Sequence, residues 1–227
     1  VVAAAGGRHI SAAAPEFDGV IGFSRDAVTG DLTQVTQSID TLGSVTGLAD
    51  AHDLALSPDE RHLYVVSPTA HAVVAFERAL GTGALSWIET ETNGAGGVSD
   101  LAGARAVHVS ADGLNVYVAA HDDDAIAVFA RDLATGELSF VGAAVNGVSG
   151  VEGLDGANSL VTSPDGLHLY AASAIDDAVA VFARSDTSGT LSLLQVLRDG
   201  VLDVDGIDGA SSVLLSADGR FLYVSGV

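Results

Sequence analysis

Ser159-Leu160-Val161-Thr162-Ser163, Pro164-Asp165-Gly166 and Leu167-His168-Leu169-Tyr170-Ala171-Ala172-Ser173 follow one another as a strand, a turn and a second strand. A tight turn at Asp176-Asp177 leads to Ala178-Val179-Ala180-Val181-Phe182, which is apolar throughout, as a strand covered on both faces must be. Asp186 to Gly189 turns the chain again, and Leu191 to Val196 is the fourth strand. Short strands joined by Asp/Gly turns make an antiparallel meander. A looser connection, Asp199 to Ala210, leads into the next unit.

This unit recurs without a gap. Tyr64, Tyr117, Tyr170 and Tyr223 are 53 residues apart, as are Phe23, Phe76, Phe129 and Phe182, and Gly30, Gly83, Gly136 and Gly189. Ser57, Ser110, Ser163 and Ser216 keep the same period, and about half the positions of 114–166 are identical in 167–219. A repeat of this length holds one supersecondary unit that cannot bury its own apolar faces, and four antiparallel strands per repeat is the unit of a β-propeller. A helical solenoid would need 3.6-residue periodicity, which is absent. The expectation is an all-β propeller segment over residues 1–227, with units at about 1–51, 52–104, 105–157, 158–210 and a partial 211–227. This amounts to 18 strands in an open arc or truncated ring, with no helix of appreciable length. The abrupt ends imply a segment of a longer protein whose remaining blades lie elsewhere.

Composition narrows the partners. The formal charge is −21, and all nine basic residues are Arg. Such a field repels nucleic acid and anionic membrane surfaces. No apolar run is long enough to span a bilayer. Much of the Asp falls in turns, where its side chain bonds nearby backbone. The absence of Cys excludes disulfides and thiol chemistry.

The repeat also separates architecture from function, because no single site needs the same residue in every blade. Arg25, Arg78, Arg131 and Arg184 each follow the third-strand Phe by two residues, and Asp59, Asp112, Asp165 and Asp218 each sit in the turn after the first strand. A repeated Asp–Arg contact between turns on one face is expected, worth about 0.5–1 kcal/mol if exposed. His9, His62 and His168 recur at the start of the second strand and take the same structural reading. On the opposite face the repeats diverge. The entry positions of the innermost strand are His52, Arg105, Asn158 and Ser211 in successive blades, a set of polar groups at a concave channel mouth suited to binding a ligand. His108 stands where other blades carry Ala55, Val161 and Leu214, and His121-Asp122-Asp123-Asp124 reads as a solvated turn. Asp199, Asp203, Asp205 and Asp208, with Gly206 and Gly209, offer hard oxygen ligands for calcium, although the spacing is not that of an EF-hand.

The Ser-Pro-Asp-x-x-x-Leu-Tyr-x-x-Ser pattern at Ser57–Ser67 and Ser163–Ser173, with 176–184 and the Thr-Gly-x-Leu at 135–138, resembles the lactonase-type seven-bladed propeller family. That family includes 6-phosphogluconolactonase-like proteins and repeats in large secreted bacterial proteins. The resemblance covers essentially the whole chain and implies one of two functions. The first is a module of a larger exported protein, extracellular or periplasmic, presenting its loop face to a small-molecule or protein ligand. The second is a lactone hydrolase, needing a base to activate water and a donor for the oxyanion. His52 or Glu152 would then be the base and Arg105 the stabiliser.

Overall fold

In the computed structural model, which describes residues 1–226, the chain is a run of antiparallel sheets taken strictly in sequence order. Blade 1 holds β1 (Val2–Ala3), β2 (His9–Ala14), β3 (Gly19–Arg25) and β4 (Leu32–Ile39). Blade 2 holds β5 (Asp53–Leu56), β6 (His62–Ser67), β7 (Ala72–Arg78) and β8 (Leu85–Thr92). Blade 3 holds β9 (Ala104–Val109), β10 (Asn115–Ala120), β11 (Ala125–Arg131) and β12 (Leu138–Val145). Blade 4 holds β13 (Ala157–Thr162), β14 (His168–Ser173), β15 (Ala178–Arg184) and β16 (Leu191–Arg198). The pair β17 (Ser212–Leu215) and β18 (Leu222–Ser225) begins a fifth. These are the 18 strands that the repeat predicts; the only helical element among the described residues is a single 3-10 turn, Pro15–Phe17.

The first strands of successive blades pack on one another, β5 on β9, β9 on β13 and β13 on β17, whereas the fourth strands barely meet. Blades therefore fan out as wedges from an axis lined by β5, β9, β13 and β17. The apolar cores lie between blades rather than within them. Phe76, Leu63 and Val65 join Val20 and Leu48 between blades 1 and 2; Tyr64 and Val73 join Val118 and Phe129 between blades 2 and 3. Tyr117 and Ile126 join Leu169 and Phe182 between blades 3 and 4. A blade has two apolar faces and no interior of its own, which is why the unit repeats.

Two irregularities recur with the repeat. The third and fourth strands slip register just before the Phe, between Gly22/Phe23, Ala75/Phe76, Val128/Phe129 and Val181/Phe182. Each slip is a bulge that adds twist. The first and second strands of blades 3 and 4 also bulge at their loop-face ends, where Arg105 and Asn158 are the extra residues. For this reason β13 starts at Ala157, earlier than the sequence reading places it.

The Gly/Asp connections between blades are fastened by side chains at fixed repeat positions. Asp40, Asn93, Asn146 and Asp199 each accept a backbone N–H eight residues on, from Leu48, Leu101, Leu154 and Ile207. Asp18, His71, Asp124 and Asp177, all left-handed with φ between 47° and 51°, accept the N–H groups of Asp50, Gly103, Gly156 and Gly209.

Candidate functional site

On the turn face the blades are bolted together by buried arginines. Arg131, at the end of β11, is 5% exposed and reaches back to blade 2. Its Nη2 donates to both carboxylate oxygens of Asp59 at 3.1 Å and to His62 Nδ1 at 2.6 Å. Its Nε donates to Tyr64 Oη at 2.9 Å, and Nη1 to its own blade's Gly113 carbonyl at 3.0 Å. The Tyr64 hydroxyl in turn donates a hydrogen bond to the Gly136 carbonyl at 2.9 Å. Arg184 repeats the set one blade later with Asp112, Tyr117, Gly166 and, in place of the His, Asn115.

The expected Asp–Arg contact is therefore present, with two corrections. The guanidinium is buried, so an exposed-pair energy does not apply. The contact is also not made in every blade: Arg78 meets Gly6 at the Asp position and uses His9 and Glu60 instead, while Arg25 is exposed. The repeated Gly of the third-to-fourth strand turn follows from the same packing. A Cβ on Gly136 would sit 2.2 Å from His62, and one on Gly83 would sit 2.7 Å from His9.

Along the axis, polar side chains cap the free backbone edge of the next blade's first strand. Asp53 Oδ2 accepts the Val107 N–H and Ser159 Oγ the Val213 N–H, each at 3.1 Å. His108 Nε2 accepts the Thr162 N–H at 3.2 Å and pairs with Thr162 Oγ1 at 2.9 Å. Nε2 must therefore carry a lone pair, and burial pushes the His108 pKa down to about 4. This explains the lone histidine: it is a backbone cap between blades, not a free base.

His52 lies exposed at the channel mouth, and its Nδ1 is 2.9 Å from the Arg105 carbonyl oxygen. A carbonyl can only accept, so Nδ1 bears the proton and Nε2 the lone pair in the neutral ring. Arg105, half-buried on β9, is the one non-exposed arginine among the described residues with no carboxylate partner; Arg78, Arg131, Arg184 and Arg198 all have one. Its Nε and the Oδ1 of Asn158 are buried without hydrogen-bond partners among the described residues. Ser211 bonds within its own blade, to Ser225. Glu152, in the connection before β13, is exposed and makes no hydrogen bond or ion pair among the described residues. His52 and Arg105 thus meet at one inter-blade step, Asn158 lies at the next, and among the described residues Glu152 and Ser211 form no hydrogen bond or ion pair with them.

The acidic connections behave as turns. Asp199 Oδ1 takes the N–H groups of Gly206 and Ile207, while Asp203, Asp205 and Asp208 are exposed. Among the described residues no three His, Cys, Asp or Glu side chains are grouped to hold a metal. In the 121–124 turn, Asp123 and Asp124 cap backbone N–H groups, and the Asp155 carboxyl beside them is raised by desolvation and by its neighbours Asp124 and Asp176. A cavity of about 400 Å³ lies away from the mouth, between β12 and β16, lined by residues such as Ala144, Val148 and Leu193 with no titratable group.

Wedge-shaped four-stranded blades around an axis, with divergent polar groups at one mouth, define a β-propeller. Residues 17–148 and 145–226 match the family model described as lactonase, 7-bladed beta-propeller, and the chain belongs to that family. The 6-phosphogluconolactonase of Bacillus subtilis is 31% identical over 146 residues, covering 64% of this chain and 40% of that protein. Among solved structures, a Lactobacillus plantarum protein superposes with a TM-score of 0.76 at 22% identity, over 96% of this chain and 61% of that one. The periplasmic gluconolactonase of Pseudomonas aeruginosa gives 0.68 at 24% identity, over 100% of this chain and 56% of that one. The chain thus spans less than two thirds of each relative's length. No helix among the described residues is long and apolar enough to cross a membrane.

Proposed function

We propose that this chain carries part of a lactone-hydrolysing site at the channel mouth, with His52 as general base and Arg105 as the group facing the carbonyl oxygen. The observation that carries the reading is the His52 Nδ1 contact with the Arg105 carbonyl, which leaves Nε2 unprotonated at the exposed edge of the mouth. The kinship with a 6-phosphogluconolactonase supports the choice of a sugar lactone as substrate. In this reading Nε2 takes a proton from water as its oxygen bonds to the lactone carbonyl carbon. The carbonyl oxygen becomes an oxyanion beside the Arg105 guanidinium. Collapse breaks the ring C–O bond, and the departing alkoxide recovers the proton from His52, giving the hydroxy acid.

A second reading, a binding module that holds a sugar acid without turning it over, draws support from Glu152, which is exposed and has no hydrogen bond or ion pair among the described residues to hold it as a second base. One experiment separates the two: hydrolysis of 6-phosphogluconolactone and glucono-δ-lactone above the spontaneous rate, in the protein and in His52→Asn. Loss of turnover in the variant at unchanged melting temperature supports the hydrolase. No acceleration by the unsubstituted protein, with retained gluconate binding, leaves the module.

A further inference from the structure

The inner-strand caps follow a fixed step, from a side chain in one blade to the N–H 54 residues on: Asp53 to Val107, Ser159 to Val213. At the step between them, from blade 3 to blade 4, the capping position is Ala106, and the N–H it faces is that of Leu160. Val107 and Val213 are the repeat equivalents of Leu160, so the Leu160 N–H points to the same channel-side edge and not into the β13–β14 ladder. A methyl group cannot accept it. The cap of this step has moved two residues along, to His108 and Thr162, which leaves the Leu160 donor open at the mouth.

Beside that donor stand the other unmet polar atoms of the channel. Arg105 precedes Ala106 and has a buried, unpartnered Nε; Asn158 precedes Leu160 by two residues and has a buried, unpartnered Oδ1. His52, the repeat equivalent of Arg105, extends to the backbone of the following blade at Arg105; by the repeat, the residue one blade on that corresponds to this acceptor is Asn158.

We propose that the Leu160 N–H and the Arg105 guanidinium form a two-donor seat for a carboxylate or oxyanion, opened by alanine at position 106. The proposal rests on the reading of Arg105 given above and adds the second donor and the residue that keeps it free. A backbone dipole and a fixed positive charge on one concave edge suit an anionic oxygen, and the seat offsets locally an overall charge of −21 that otherwise repels anions.

The test is Ala106→Ser, which installs the cap that Ser159 supplies one blade on. The probe is D-gluconate, titrated into ¹⁵N-labelled protein at about 0.15 M salt to screen the acidic field. The Leu160 amide should shift saturably, and Ala106→Ser should retain the melting temperature while weakening gluconate by about tenfold, the order expected for one charge-assisted donor. Arg105→Gln, which leaves Ala106 untouched, should weaken it at least as much and keeps the test decisive if the serine variant does not fold. Gluconate binding unaffected by either substitution, or a Leu160 amide that does not respond, overturns the seat. Hydrolysis assays keep the two readings apart. A Leu160 response without lactone turnover retains the seat and discards catalysis, and turnover with kcat/KM unchanged in Ala106→Ser does the reverse.

Discussion

Arg131 Nη2 lies 3.1 Å from both carboxylate oxygens of Asp59, a residue of the preceding blade, and the same guanidinium holds His62 and Tyr64 of that blade. A single side chain, 5% exposed, therefore ties one unit to the next through most of its donors. Removing it leaves the Tyr64 hydroxyl short of a donor and the Gly113 carbonyl without its guanidinium partner. Arg131→Met should destabilise the protein by about 3 kcal/mol, the lower end of the range for breaking a buried pair because Asp59 itself is partly solvated. Arg184→Met should do likewise, and Arg220→Met, at an exposed position, should change the urea midpoint little.

The same bolt predicts a pH dependence that differs between blades. His62 accepts a hydrogen bond from Arg131 at Nδ1 and so must be neutral there; burial, and then the nearby guanidinium, lower its pKa below 6.5. His9 beside Arg78 is lowered for the same reasons, and His108 falls to about 4. With folded pKa values below the unfolded one, the unfolded state binds more protons. The stability these residues supply is complete above pH 6.5 and declines as pH falls from there toward their folded values. The melting temperature should accordingly drop between pH 7 and pH 5. His62→Asn, which copies the natural Asn115 of the next bolt, should fold normally and flatten part of that drop. A slope identical to that of the unsubstituted protein would count against the bolt as a source of acid sensitivity.

The architecture is legible in the sequence because it depends on features that repeat: strand length, Asp/Gly turns, a Phe in the third strand and, from the second blade on, a Tyr in the second, none of which needs a partner to be recognised. The recurrence of Arg beside Phe and of Asp in the turn marks a contact, but its burial is not visible. The partner lies in the preceding blade, 72 residues away, and only packing shows which blade is covered. The inner ring carries no such repeating signal. Asp53, His108 and Ser159 differ in identity yet all satisfy an edge N–H on the neighbouring blade, a role set by strand geometry and open to any short acceptor. The informative residue there, Ala106, is marked by an acceptor that is missing, and a search for polar groups passes over it.

Two glycines with nearly the same backbone separate strain from collision. Gly136 and Gly147 have φ of 79° and 76°, but a Cβ on Gly136 meets the His62 ring at 2.2 Å, while one on Gly147 meets nothing within 4 Å. Gly147→Ala should therefore cost about 1 kcal/mol, the penalty for a side chain in the left-handed region. Gly136→Ala should cost well beyond that, since His62 cannot retreat without releasing Arg131. Chemical denaturation of both variants reads the difference directly. Equal losses would mean that the His62 ring moves freely and the bolt is loose.

Asp199 stands in the connection whose four aspartates suggest calcium, yet its repeat equivalents are Asp40, Asn93 and Asn146, and all four accept the same backbone N–H. The position requires a side-chain oxygen, and two blades meet that requirement without a charge. Asp199→Asn should therefore leave the melting temperature within a degree or two, whereas Asp199→Ala should lose about 1 kcal/mol, as the removal of a comparable side-chain cap does. The comparison is made in calcium and in chelator. If the Asn variant lost a calcium-dependent rise in melting temperature that the unsubstituted protein shows, the carboxylate would be acting as a ligand and the capping account of this turn would be incomplete. Matching curves for the Asp and Asn forms under both conditions would fix its role as an acceptor for Gly206 and Ile207.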